Sequence, residues 1–149
     1  MLAACDRSRA YTRPGKRKCE NQRPTALRDR AIIFLLVDTG LRASELCDLR
    51  LRQVDLKSHR IVVMGKGRKE RTLPIAPRTA QALWRYLSTR DDTGRDAAYL
   101  FTTHLGSPVS RYSLRRMLSL IGQRAGVAAR HGSVVALYLG AIRSRDRAQ

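Results

Sequence analysis

A chain of 149 residues is sized for one domain with a substantial core, and a hydrophobic share of 43% excludes disorder of the whole. Thirty Lys and Arg against 12 Asp and Glu give a net charge of +18, which points to a polyanionic partner because phosphate contacts release counterions and reward clustered cations. Cys5, Cys19 and Cys47 show no CxxC spacing, which excludes a disulfide scaffold and a zinc site, and no run of about 18 apolar residues exists to span a membrane.

Residues 1–24 carry Arg7, Arg9, Arg13, Lys16, Arg17, Lys18 and Arg23 with Pro14, Gly15 and Pro24, and no apolar periodicity. A mobile basic arm is expected there. Met1 to Cys5, ahead of the first charges, is too short for a signal peptide, and the unpaired cysteines add to a reading of a reducing, cytoplasmic setting. Thr25 reads as the N-cap of a helix, with Asp29 favoured in its first turns by the helix dipole. Leu27, Ala31, Phe34 and Leu35 recur at helical spacing, Ile32, Ile33 and Leu36 widen the stripe, and Gly40 closes the helix as a C′ residue. A second short helix over 43–49 buries Leu46 and Leu49, and Cys47 among them reads as a small core hydrophobe.

Leu51, Val54 and Leu56 anchor a connection into the β-branched run Arg60-Ile61-Val62-Val63-Met64, a strand. Gly65-Lys66-Gly67 is the hairpin turn, where glycine tolerates positive φ, and residues 70–75 return. Pro77 suits the first position of a helix whose core face is Ala80, Leu83, Trp84 and Leu87. Arg90 reads as exposed, 91–96 as a polar loop, and Tyr99-Leu100-Phe101-Thr102 as a short third strand. Gly106-Ser107-Pro108 turns the chain, and Ser110 caps a last helix, closed by Gly126, with Leu114, Met117, Leu118 and Ile121 inward and Arg111, Arg115 and Arg116 outward. Helix pair, hairpin, helix, strand, helix is an α+β arrangement: a mainly helical domain with a small antiparallel sheet.

The chemistry concentrates in Thr39-Gly40-Leu41-Arg42 with Ser44-Glu45-Leu46, and in Gly65-Lys66-Gly67 with Lys69-Glu70-Arg71. Arg42 offers a planar fork for two phosphate oxygens, and Lys66 a point charge on a hairpin tip. Such donors stabilise charge that builds on a phosphate during transesterification. Glu45, three residues after Arg42 on one helix face, can hold that guanidinium in one rotamer.

Together with Leu73-Pro74-Ile75, Leu100-Phe101, Gly106-x-Pro108-x-Ser110 and Arg124-Ala125-Gly126-Val127, these fragments resemble the catalytic domain of the tyrosine recombinases, the phage-integrase family. The resemblance covers residues 25–127, leaving 1–24 as the arm and 128–149 as a non-matching tail. It implies that Arg42 is the first catalytic arginine, Glu45 its acidic companion, and Lys66 the general acid toward the leaving oxygen. It also implies double-stranded DNA and further recombinase protomers as partners, a 3′-phosphotyrosyl intermediate, and no metal, nucleotide or other small-molecule cofactor.

The family's His-x-x-Arg box, a further His or Trp and a terminal tyrosine nucleophile would follow. His131 has Val134 three residues on, and Tyr138 lies in the short apolar segment 134–139 and comes too early in the chain. Tyr112 reads as structural, and His59 and His104 as exposed in turns. The expectation is a truncated recombinase, a remnant of a mobile element, that binds DNA without cleaving it. Alternatives are a non-catalytic regulator that occupies recombination sites, a general RNA-binding basic protein, and an enzyme completed in trans.

Overall fold

In the computed structural model, residues 3–6, 23–65, 69–91 and 98–125 are described. In chain order they form α1 (Ala3–Asp6), α2 (Ala26–Thr39), α3 (Ala43–Asp48), a single 3-10 turn (Leu51–Gln53), β1 (Val54–Asp55), β2 (Arg60–Met64), β3 (Glu70–Pro74), α4 (Pro77–Leu87) and α5 (Arg111–Arg124). The strands make one antiparallel sheet in the order β1-β2-β3, with Ile61 opposite Leu73, Val63 opposite Arg71 and Val54 opposite Ile61. This is the expected α+β arrangement, mainly helical with a small antiparallel sheet.

Helix α2 is the central element. Its apolar residues Ala31, Ile32, Leu35 and Leu36 are buried, and each fully buried aliphatic side chain contributes about 1.5–3 kcal/mol. Gly40 ends it in the left-handed region (φ 62°), donating its N–H to the Leu36 carbonyl at 3.0 Å. Helix α4 packs on α2, and Asp38 of α2 fixes its start. That carboxylate accepts from the Ala76 N–H at 3.0 Å, from the Thr79 hydroxyl, and from Arg78 at 3.3 Å. Pro77 takes the first helical position, where no N–H is needed. At α5, the Ser110 hydroxyl caps the Ser113 N–H at 3.1 Å, and Leu114, Met117, Leu118 and Ile121 face inward. Arg111, Arg115 and Arg116 are exposed as expected.

Several expectations are corrected. The third strand is Val54–Asp55, beside β2; Tyr99 and Thr102 make only isolated bridges, to Arg50 and Pro108. Trp84 does not join the core but is 60% exposed, because the face of α4 that meets the core runs through Thr79, Ala80, Leu83 and Tyr86. Tyr86 stacks on Phe101 at 5.7 Å in its place. Leu27 is exposed, while Asp29 turns inward. Thr25 occupies the N-cap position of α2 and its carbonyl accepts the Asp29 N–H at 2.9 Å, but its side chain caps no backbone N–H; its hydroxyl donates to the Asp29 carboxylate at 3.1 Å. Arg90 is tied to the carbonyls of Tyr99 and Leu100 at 2.9 and 2.6 Å.

Part of the expected N-terminal arm is also packed. Within α1, Cys5 is fully buried and its thiol is pushed up to about 11, chiefly by burial. Asp6 pairs with Arg30 at 2.9 Å, and its carbonyl accepts the Arg23 N–H at 2.9 Å. The rest of the arm, residues 1–2 and 7–22, lies outside the described residues, as do most of the 91–96 loop and everything from Gly126 onward. Among the described residues, no helix is long and apolar enough to cross a membrane.

Candidate phosphate-binding site

The site begins where α2 ends. The αL residue Gly40 turns the chain, and Leu41 and Leu46 drop fully into the core on either side of the next turn. Arg42 lies between these anchors in an extended conformation (φ −69°, ψ 151°), so its side chain has only solvent to enter and is 72% exposed. Its backbone N–H donates to the Glu45 carboxylate, Oε2, at 3.0 Å. Glu45 thereby satisfies a donor that the short helix leaves open.

Glu45 has a stronger partner than Arg42. Arg71 of β3 grips it with both guanidinium nitrogens, Nη1 to Oε1 at 3.0 Å and Nη2 to Oε2 at 2.9 Å. The Arg42 guanidinium stands 3.7 Å away. Only 7% of the Glu45 side chain is exposed, and its carboxyl is held below the usual carboxylate range, first by the Arg71 hydrogen bond, against a smaller opposing effect of burial. Glu45 does pair with Arg42, through that ion pair and the backbone N–H, but Arg71 holds it more closely. Its fork-to-fork partner is Arg71, and Arg42 keeps most of its own hydrogen-bonding capacity for something else.

Arg71 is the residue that reading the site from sequence passes over, although a signal is present. Side chains alternate along a strand, so Arg71 shares a sheet face with Leu73 and, across the ladder, with Ile61 and Val63. Ile61 and Val63 are buried. A cation at the margin of an inward face needs an acid, and α3 supplies one from 26 positions away.

Gly65 explains how Arg71 fits. The sequence assigns this glycine to a positive φ, but among the described residues only Gly40, Gly106 and His59 have one. At Gly65 the requirement is space. A Cβ there would meet Arg71 Nη1 at 3.2 Å and the Lys69 carbonyl at 3.3 Å. The Gly65 N–H donates to that carbonyl at 2.8 Å, closing the base of the hairpin.

Arg42, Glu45, Arg52, Gln53, Met64 and Gly65 are among the residues lining a single open cleft of about 800 Å³ between α3, the 3-10 turn and the hairpin. Arg50, also in its wall, lies over the Tyr99 ring at 3.5 Å. Lys66 follows Gly65 directly in the chain but is itself outside the described residues, as are His131 and Tyr138. His59, His104 and Tyr112 are exposed, and none of the three lines the cleft. Among the described residues, no three His, Cys, Asp or Glu side chains gather as metal ligands. The cleft wall carries Arg42, Arg50 and Arg52 beside the acids Glu45, Asp48 and Glu70; Glu45 is held by Arg71, and Arg42 presents an exposed guanidinium.

The cleft lies between a helical turn and a β-hairpin in a mainly helical α+β domain. The model of the phage integrase family matches residues 16–136, and the chain belongs to that family. It is 35% identical to tyrosine recombinase XerC of Histophilus somni over 108 residues, 72% of this chain and 37% of that protein. Identity to XerC of Vibrio vulnificus strain YJ016 is 38% over 109 residues, 71% of this chain and 34% of that protein. The chain thus spans little more than a third of the length of the curated relatives it matches. Among solved structures, the XerA recombinase superposes with a TM-score of 0.66 at 33% identity, covering 75% of this chain and 41% of that one. The XerH recombinase bound to its difH substrate superposes with the same TM-score at 24% identity, over 80% of this chain and 35% of that one, a likeness of fold.

Proposed function

We propose that this chain is a DNA-binding portion of a site-specific tyrosine recombinase, and that its cleft receives a phosphodiester of double-stranded DNA. Residues 25–127 form the integrase-type part in this reading. Arg42 is the first catalytic arginine, Glu45 its acidic companion and Lys66 the general acid toward the leaving oxygen. The observation that supports it best is the state of Arg42, exposed on the cleft wall beside a carboxylate that Arg71 already occupies. The net charge of +18 supplies the long-range attraction, and other recombinase protomers are the remaining partners.

Within these 149 residues, none of the three histidines is followed by arginine three positions later. Tyr138 is flanked by Leu137 and Leu139, which provide no base for a phenol whose pKa is normally about 10. Catalytic groups that act as a unit lose most of the rate when one is missing. The chain therefore binds DNA and does not cleave it alone.

Two measurements test this. Affinity for duplex DNA should fall steeply and linearly in log–log form as salt rises, with a slope reflecting several phosphate contacts. A binding constant indifferent to salt refutes the phosphate reading. A nicked suicide duplex should yield no denaturant-resistant protein–DNA band, and a band that vanishes in Tyr138→Phe refutes the inactivity.

A further inference from the structure

Arg71 is exposed enough to meet solvent, yet both of its terminal nitrogens are committed to Glu45. Glu45 in turn holds the Arg42 N–H, and Gly65 gives Arg71 room against the hairpin base. One carboxylate and one guanidinium thus join the turn that carries Arg42 to the strand pair that leads into Lys66.

We infer that Arg71 is a positioning residue that keeps Arg42 available to phosphate by occupying Glu45. The inference rests on the DNA-binding reading above. The Arg42 guanidinium is 3.7 Å from Glu45 Oε1, just beyond hydrogen-bond range. With Arg71 gone, Glu45 would be a nearly buried carboxylate whose nearest remaining cation among the described residues is Arg42. A carboxylate in that position draws the available guanidinium into a bidentate pair. Arg42 would then turn from the cleft toward Glu45, and DNA phosphate would have to compete with an intramolecular anion. Arg71 acts by removing the competitor and makes no contact with DNA itself. Gly65 belongs to the same device, since a side chain there would press on Arg71 and on the Lys69 carbonyl.

The test is a second-site rescue, read as duplex-DNA affinity of the full chain by fluorescence anisotropy, with thermal unfolding followed for each variant. Arg71→Ala should weaken binding about ten-fold, the scale of one lost charge-assisted contact. Adding Glu45→Gln should restore most of that loss, because a neutral amide does not capture Arg42 yet still accepts from its N–H. If Arg71→Ala does not fold, Arg71→Gln takes its place with the same expected outcomes. Rescue supports the inference, because a merely structural pair would be damaged further by the second substitution. Failure of rescue overturns it, and so does full affinity in the Arg71 single variant. A direct DNA contact by Arg71 would instead lower the salt slope by about one phosphate, with no rescue. Arg42→Ala separates the two levels. Undiminished affinity there removes the phosphate grip itself, whereas a loss there without rescue removes only the role of Arg71.

Discussion

Asp29 and Glu45 are both acids held by two arginines, and the two clusters differ in one respect that decides what each does. Asp29 is fully buried, with Arg23 at 2.7 Å on Oδ2 and Arg28 bonded to Oδ1 through Nη2 and Nε at 2.7 and 3.0 Å. Those arginines spend their remaining donors on the protein: Arg23 on the Cys5 carbonyl and Thr25, Arg28 on the Thr102 carbonyl. Every arm of that cluster ends on its own chain, so it ties α1, α2 and the 99–102 segment together. At Glu45 one arginine is held by two hydrogen bonds and the other stands in the cleft wall 3.7 Å from the carboxylate. Closed pairing makes a structural tie, and incomplete pairing leaves a charge for a partner.

Substitution should break this contrast at opposite ends. Asp29→Ala strands Arg23 and Arg28 without their acid and should cost about 3–5 kcal/mol of stability in urea unfolding, with DNA affinity falling only as the folded fraction falls. Arg42→Ala should do the reverse. It should weaken DNA binding by roughly 1–3 kcal/mol while shifting unfolding by less than about 0.5 kcal/mol, because the side chain is exposed and makes no short contact. If both substitutions act alike on stability and on binding, the distinction between tie and site fails.

pH sharpens the comparison. The Glu45 carboxyl lies below its ordinary value of 4.5 because Arg71 bonds its charged form. A folded value depressed below the unfolded one contributes stability that is complete above the unfolded value and is lost as pH falls through the folded one. The stability advantage of the wild type over Glu45→Gln should therefore be constant above about pH 5 and shrink toward zero below it. An advantage that grows on acidification would contradict the Arg71 contact. The smallest effect belongs to Arg85→Ala, on the exposed side of α4 away from the cleft. It should change DNA affinity by no more than about 0.5 kcal/mol, and a loss equal to that of Arg42→Ala would mean a diffuse basic surface with no site.

Much of the fold was legible because its signals are local. The Gly40 terminator, Pro77 at a helix start, the Ser110 cap and the β-branched run of β2 each act within one turn or one strand. Backbone sterics and nearby hydrogen bonds set those boundaries wherever the segment ends up. Arg42 and Glu45 could likewise be singled out by spacing, since an N-cap residue and the third residue of the helix it starts lie within reach of each other.

Other features depend on which faces meet, and no local pattern carries that. Trp84 is as apolar as Leu83, but the core touches α4 along the line of Leu83 and Tyr86. Val54 and Asp55 pair with β2 because the turn after them folds back, with Asp55 Oδ1 accepting from the N–H groups of Lys57 and Ser58, both at 3.0 Å. Arg90 looks solvated until the 99–100 carbonyls arrive beside it. The sequence by itself determined helices α2 to α5, the hairpin, the excess of cations and the two motifs that carry the family resemblance. Tertiary structure alone decided that Glu45 is gripped by Arg71, that Gly65 lies tight against Arg71, and that Arg42 keeps only a 3.7 Å ion pair to that carboxylate. Charge pairing is settled by distances of a few ångströms between elements far apart in the chain, and those distances exist only once helix α3 has been laid against strand β3.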